Sequence, residues 1–100
     1  MSPDQRSEAA GAGERELQNM LLRVVRALVD HPDDAEVELF SDEEGAVFEI
    51  RANPTDVGRL IGKNGQTVRA LRVIVNASGV KNGKRFEVEI DRPDGDSGRR

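Results

Sequence analysis

The sequence predicts an α+β fold: a three-stranded mixed sheet with helices packed on one face. Three observations lead there. Apolar residues between Leu17 and Val29 recur at helical spacing. Three short segments alternate apolar and polar residues, as half-buried strands do. Two helical stretches, joined by a glycine-bounded turn, separate the second alternating segment from the third. A connection through helices favours parallel strands and a right-handed crossover, whereas the first two strands are close enough to form a hairpin. The predicted order is helix, strand, strand, helix, helix, strand.

Residues 1–13 are rich in Ala, Gly, Ser and charge and carry no apolar period. They are expected to form a disordered tail, ahead of a single domain over 14–92 and a short polar tail over 93–100. Leu17, Met20, Leu21, Val24, Val25, Leu28 and Val29 define one face of the first helix, which starts at Glu14. The pair His31-Pro32 ends it, because a residue before proline is pushed out of the helical region. Glu36–Phe40 and Val47–Ala52 alternate as two strands around an acidic turn, Ser41–Gly45. Asn53-Pro54-Thr55-Asp56 carries helix-start signals: a capping Asn, a Pro at the first position and an acid three residues on that can reach back. Val57, Leu60 and Ile61 give that short helix an apolar side, and Gly62 stops it. Gln66 opens the next helix, with Val68, Leu71, Ile74 and Val75 as apolar positions and Gly79 as its end. Val80–Lys84 then reads as a turn-rich loop. In Arg85–Asp91, Phe86, Val88 and Ile90 point one way and the charges the other. The three aromatics, Phe40, Phe48 and Phe86, all fall at apolar strand positions and are expected in the core.

Composition excludes several functions. The chain has 100 residues and no cysteine, so neither a disulfide framework nor a thiolate metal site or nucleophile is available. His31 is the single histidine, without a second His or Cys to share a metal, and its place near a helix C-terminus suits a partial positive charge. No carboxylate pair sits in a recognisable catalytic motif, so the chain is expected to be no enzyme and to use no cofactor. The N-terminus lacks the basic start and apolar run of a signal peptide, and no apolar run approaches a membrane span. The expectation is a cytoplasmic protein without a membrane partner.

The net charge of −4 is unevenly spread. Residues 1–53 hold 13 acids and 5 bases; residues 54–85 hold one acid, Asp56, and seven bases, a local net of +6. Such asymmetry points to a polyanion partner for one part of the surface. Inside the basic segment lies Gly58-Arg59-Leu60-Ile61-Gly62-Lys63-Asn64-Gly65. Gly62 and Gly65 permit backbone angles closed to other residues and leave room for close approach to the main chain. The amides of Gly65, Gln66 and Thr67, at the start of the next helix, are expected to be free to meet an anion, with Lys63 as a mobile cation at the tip. A nucleotide-binding P-loop is excluded: Gly58 and Gly62 are one residue too close, Asn64 rather than Ser or Thr follows the lysine, and the turn lies between helices. Gly58, inside a short helix, is expected to allow close packing against another element or against a ligand.

Ile61-Gly62-Lys63-Asn64-Gly65-Gln66-Thr67-Val68 resembles the I-G-x-x-G-x-x-[IV] core of the KH domain. The element order resembles the type II (bacterial) arrangement, and from Leu17 to about Asp91 the chain is similar to the small stand-alone KH proteins of the KhpA family. The resemblance implies a single type II KH domain that clamps single-stranded RNA backbone with its GxxG loop. It implies an RNA chaperone or post-transcriptional regulator that self-associates as a homodimer and also pairs with a larger KH protein of the Jag (KhpB) type. Carried over by position, the RNA-binding residues are Gly62, Lys63, Asn64 and Gly65 in the loop, Arg59 before it, Gln66, Arg69 and Arg72 after it, and Lys84 and Arg85 with Lys81 flanking the groove. With the three aromatics in the core, base stacking contributes little, and binding is expected to be weak and mildly sequence-selective. The second reading is a KH-fold protein-interaction module that acts through a partner RNA-binding protein.

Overall fold

Val37, Phe48 and Val88 lie on one side of three adjacent strands, and that side is the core. The computed structural model describes residues 3–92. Strands β1 (Glu36–Ser41) and β2 (Gly45–Arg51) pair antiparallel, with Leu39 opposite Phe48 and Val37 opposite Ile50. Strand β3 (Arg85–Ile90) pairs parallel with β2, with Val88 opposite Phe48, and the strand order is β1-β2-β3. The predicted mixed sheet is therefore present. In the hairpin turn Asp42 Oδ1 accepts from the amides of Glu44 and Gly45. These two bonds hold its carboxyl below its usual range against the opposing effect of burial, and the Lys84 charge adds the least.

Helices α1 (Pro3–Leu28), α2 (Val57–Ile61) and α3 (Gln66–Asn82) cover the inner face. From α1 come Leu17, Leu21, Val25 and, just past its end, Val29; from α2 comes Leu60; from α3 come Leu71 and Val75. They enclose Phe48, Ile50, Phe86 and Val88, and the Phe48 and Phe86 rings meet edge to face at 5.4 Å. Such a pair adds about 0.5–1.5 kcal/mol beyond its buried area. No helix among the described residues is long and apolar enough to cross a membrane.

Several expectations need correction. Helix α1 begins at Pro3, ahead of the expected start at Glu14. Ala9, Ala10 and Ala12 are strong helix formers, and Pro3 suits a first helical position. The polar tail expected over 93–100 lies outside the described residues. Helix α3 does not stop at Gly79 but runs to Asn82, and Gly83 in the left-handed region (φ 71°) closes it. The Gly83 and Lys84 amides donate to Val80 O and Gly79 O, the paired bonds of a Schellman cap. Gly79 is a packing residue: a Cβ there would stand 2.6 Å from Lys84 O and 2.9 Å from Phe86 N, so glycine alone lets β3 lie this close to α3.

Phe40 is 50% exposed, because Val37 and Leu39 take the inward positions of β1 and alternation sends Phe40 outward beside Val47. Ile74 is 45% exposed, since α3 turns only Leu71, Val75 and Gly79 fully inward. Asp56 does not reach back to its own cap. Asn53 Oδ1 alone caps, accepting from the Thr55 amide and hydroxyl. The buried Asp56 carboxylate instead accepts from the amides of Asp30 and His31 and from His31 Nδ1. Burial works to raise its pKa; the three donors outweigh it and hold the group below its usual range. The bonds tie the exit of α1 to the entry of α2.

Candidate nucleic-acid interface

Helix α2 is only five residues long, Val57–Ile61, so the fold has to place its last turn accurately. Leu60 anchors it in the core, and the Asp56 bonds fix its start. Gly62 (φ 81°) then breaks the helix, and Lys63–Gly65 form a single 3-10 turn before α3 begins. Gly62, Asn64 (φ 56°) and Gly65 (φ 73°) all have positive φ, and Asn64 is the one non-glycine residue with this geometry among those described. Asparagine is among the residues that tolerate it. A Cβ on Gly62 would collide with the Thr67 hydroxyl and stand 2.7 Å from the Thr67 amide, so this glycine is required twice over.

The loop uses two of the amides expected to be free. The Gly65 amide donates to Gly62 O at 3.0 Å and the Gln66 amide donates to Lys63 O. The corner is a hydrogen-bonded turn, and closing it consumes those donors. What remains outward is Lys63, exposed at the tip, above the positive end of the 17-residue α3 dipole.

The basic residues divide into groups. Lys63 and Arg72 are exposed, and no ion pair engages either among the described residues. Arg59 on α2 pairs with Asp30 at 3.2 Å, a solvent-exposed contact of about 0–1 kcal/mol that a phosphate can displace. Arg69 on α3 donates through Nη2 to Asn64 O at 2.6 Å. The Gln66 side chain is exposed on the first turn of α3. Lys84 and Arg85 are not brought to this cluster: they follow α3, whose two ends lie about 25 Å apart at 1.5 Å per residue. Lys84 donates to the buried Glu14 carboxylate at 3.3 Å, and Glu14 also accepts from Ser41. Arg85 starts β3 beside the acidic hairpin turn, and Lys81 sits in the last turn of α3. Val57, Ile61 and Val68 are half-buried around the loop. Sequence reasoning missed Asp30 and Thr67; no local signal marks either, since each acts through a residue on another element or turn.

The sheet's outer face has the opposite character. Glu38, Glu49 and Glu89 share one rung, flanked by Glu36, Glu87 and Asp91. Arg51 pairs with Glu36, Glu38, Glu49 and Asp91 and leaves an acidic excess. A polyanion is repelled there, and Phe48 and Phe86 are buried away from it. The helical loop is the surface suited to a phosphate chain.

A sheet of order β1-β2-β3 with a glycine-bounded loop between its two crossover helices defines a KH fold of the α-β-β-α-α-β kind. Residues 18–90 match the family model described as KhpA/KhpB, KH domain, and the chain belongs to that family. It is similar to the RNA-binding protein KhpA of Leifsonia xyli subsp. xyli, 46% identical over 70 residues that cover 70% of this chain and 90% of that one. The RNA-binding protein KhpA of Streptomyces coelicolor is 40% identical over 75% of this chain and 95% of its own length. That of Bacillus subtilis is 34% identical over 77% and 95%.

Proposed function

We propose that this protein binds single-stranded RNA without catalysis, gripping the backbone at the Gly62–Gly65 loop, and acts in the cytoplasm as an RNA chaperone or post-transcriptional regulator. One observation carries the reading: three positive-φ residues in four positions hold a loop whose exposed lysine has no internal anion among the described residues. Arg72 and the displaceable Arg59 extend the same basic surface. The names of the relatives supply the polyanion, RNA. The functional domain is taken as 14–92.

Replacing Lys63 and Asn64 together by Asp sets two anions where a phosphate would sit. Titration of fluorescent single-stranded RNA is expected to show binding abolished with the thermal transition retained. An unchanged dissociation constant overturns the loop assignment. With three or four phosphates neutralised, log affinity falls against log salt with a slope of about −2 to −3, at roughly −0.7 per phosphate for single strands.

A second reading, protein interaction, coexists with the first. Helix α3 exposes Val73 (66%) and Val80 (81%), seven residues apart on one side, and Ile74 (45%) on another, where it lies beside Met20 of α1. Exposed apolar side chains of this kind favour association, in a homodimer or with the larger Jag-type KH protein. Two linked loops would multiply a weak single-loop affinity. Val73→Glu is expected to shift sedimentation toward monomer and lower apparent RNA affinity while leaving the salt slope per bound chain unchanged.

A further inference from the structure

We infer that Arg69 is a positioning residue that locks the Lys63–Gly65 loop into its left-handed form before any ligand arrives. The inference deepens the RNA-binding reading of the same loop and gives Arg69 a different task from Arg72. By charge and spacing the two are equivalent: both lie near the start of α3, both are exposed, and they are three residues apart. In the structure they differ. Arg69 Nη2 donates back to Asn64 O at 2.6 Å, a charge-assisted bond. Arg72 makes no hydrogen bond or ion pair among the described residues.

The acceptor is the informative part. Asn64 is the residue in this loop with a side chain and a positive φ. The peptide joining it to Gly65 is the one that would turn over if the loop relaxed, since Gly65 accepts either orientation at little steric cost. Arg69 holds that peptide by its oxygen. It does so from the second turn of α3, a 17-residue helix anchored by Leu71 and Val75, so the brace stands on a rigid element. The guanidinium lies over Gly65 at contact distance, 3.8 Å from where a Cβ would stand, and it is the positive φ of Gly65 (73°), not a lack of space, that favours glycine there. With the Asn64 carbonyl held by Arg69, the Lys63 side chain is left exposed at the tip. The guanidinium fork suits this task; methionine keeps the stem and removes every donor.

The test uses the full chain and compares Arg69→Met with Arg72→Met. Hydrogen exchange of the RNA-free proteins is measured at Gly65 and Gln66, whose amides are bonded within the loop, with Leu71 and Val75 as references for global stability. Arg69→Met is expected to speed exchange at Gly65 and Gln66 and leave the references unchanged; Arg72→Met is expected to change neither. In RNA titrations Arg69→Met keeps a near wild-type salt slope and loses about 5–10-fold in affinity, the loss expected if the competent loop is populated roughly 10–20% of the time. Arg72→Met flattens the slope by up to about 0.7, the share of one phosphate. Wild-type exchange at Gly65 and Gln66 in Arg69→Met overturns the inference, whatever happens to affinity. If wild-type protein fails to bind single-stranded RNA, the RNA reading falls, and the exchange comparison still decides the brace.

Discussion

The two ends of α3 carry the same charge and use it in opposite ways. At the N-terminal end Lys63 and Arg72 are exposed and, among the described residues, without an internal anion, around a loop held in left-handed geometry. At the C-terminal end Lys84 is drawn against the buried carboxylate of Glu14, and Gly79 and Gly83 serve the packing and capping of the helix. A local net charge of +6 counts both ends alike. The fold separates them by setting a buried acid, Glu14, against Lys84 at one end, whereas at the other the acid that meets Arg59, Asp30, is solvent-exposed and no acid among the described residues pairs with Lys63 or Arg72. A cation becomes available to a ligand only where the structure has not already neutralised it.

The harshest way to probe the structural end is Gly79→Ala. The added methyl has backbone atoms of Lys84 and Phe86 in its way, and overpacking of this kind costs about 1–3 kcal/mol. Urea denaturation is expected to show that loss. A neutral result would mean that α3 and β3 can part without penalty, and the contrast between the two ends would lose its structural half.

Lys84→Met against Lys63→Met tests the contrast directly. The first leaves the Glu14 carboxylate buried with only the Ser41 hydroxyl, a loss of about 1–2 kcal/mol, within the range for an unsatisfied buried polar group. RNA affinity is expected to change little. Lys63→Met is expected to do the reverse, lowering affinity with the melting temperature intact. Equal affinity losses from the two would join both ends into one binding surface.

Asp56→Asn probes the support beneath the loop end, and its effect is expected to be smaller because asparagine keeps one acceptor oxygen. The depressed pKa of Asp56 means that its contribution is present above the ordinary aspartate value of 3.8 and is lost as pH falls through the lower folded value. The stability gap between wild type and Asp56→Asn is therefore widest near neutrality and closes in acid. A gap that stays constant from neutral to acid pH would show that the carboxylate charge is not what joins α1 to α2.

The smallest effect is a gain. Gly58 is exposed in α2, and a methyl added there would have nothing within 4 Å of it, so the close packing against another element expected from sequence is absent. Gly58→Ala is expected to stabilise by about 0.4–1 kcal/mol through the unfolded chain, read as a higher melting temperature. A fall in RNA affinity alongside that gain would place the ligand against this bare turn; unchanged affinity makes the glycine incidental.

The hairpin, the crossover and the inward positions of β3 are legible in the sequence because each rests on a short-range period. Phe40 is not, because Leu39 and Phe40 are both apolar, and only the register against β2 decides which one turns inward. Gly79 reads as a stop because glycine signals a helix end and close packing with the same letter; β3 lying against it decides between them. The loop's glycines are legible from their spacing, whereas the uses of Arg69, Asp56 and Lys84 are not. Their partners are five residues away for Arg69, 25 and 26 for Asp56 and 70 for Lys84, and no local pattern announces them.

The position of β2 at the centre of the sheet has a consequence for the order of assembly. Its hairpin partner β1 is a neighbour in sequence, but Gly45 meets Arg85 only after forty further residues have been made. Until then one edge of a strand carrying Ala46, Phe48 and Ile50 stays unpaired, and β3, the piece that closes it, is the last strand to emerge. Closing so long a loop is the slow step expected of a mixed α/β domain, and an open apolar edge is the form in which chains stick to one another. A chain cut before Arg85 is therefore not a smaller version of this domain but an aggregation-prone intermediate.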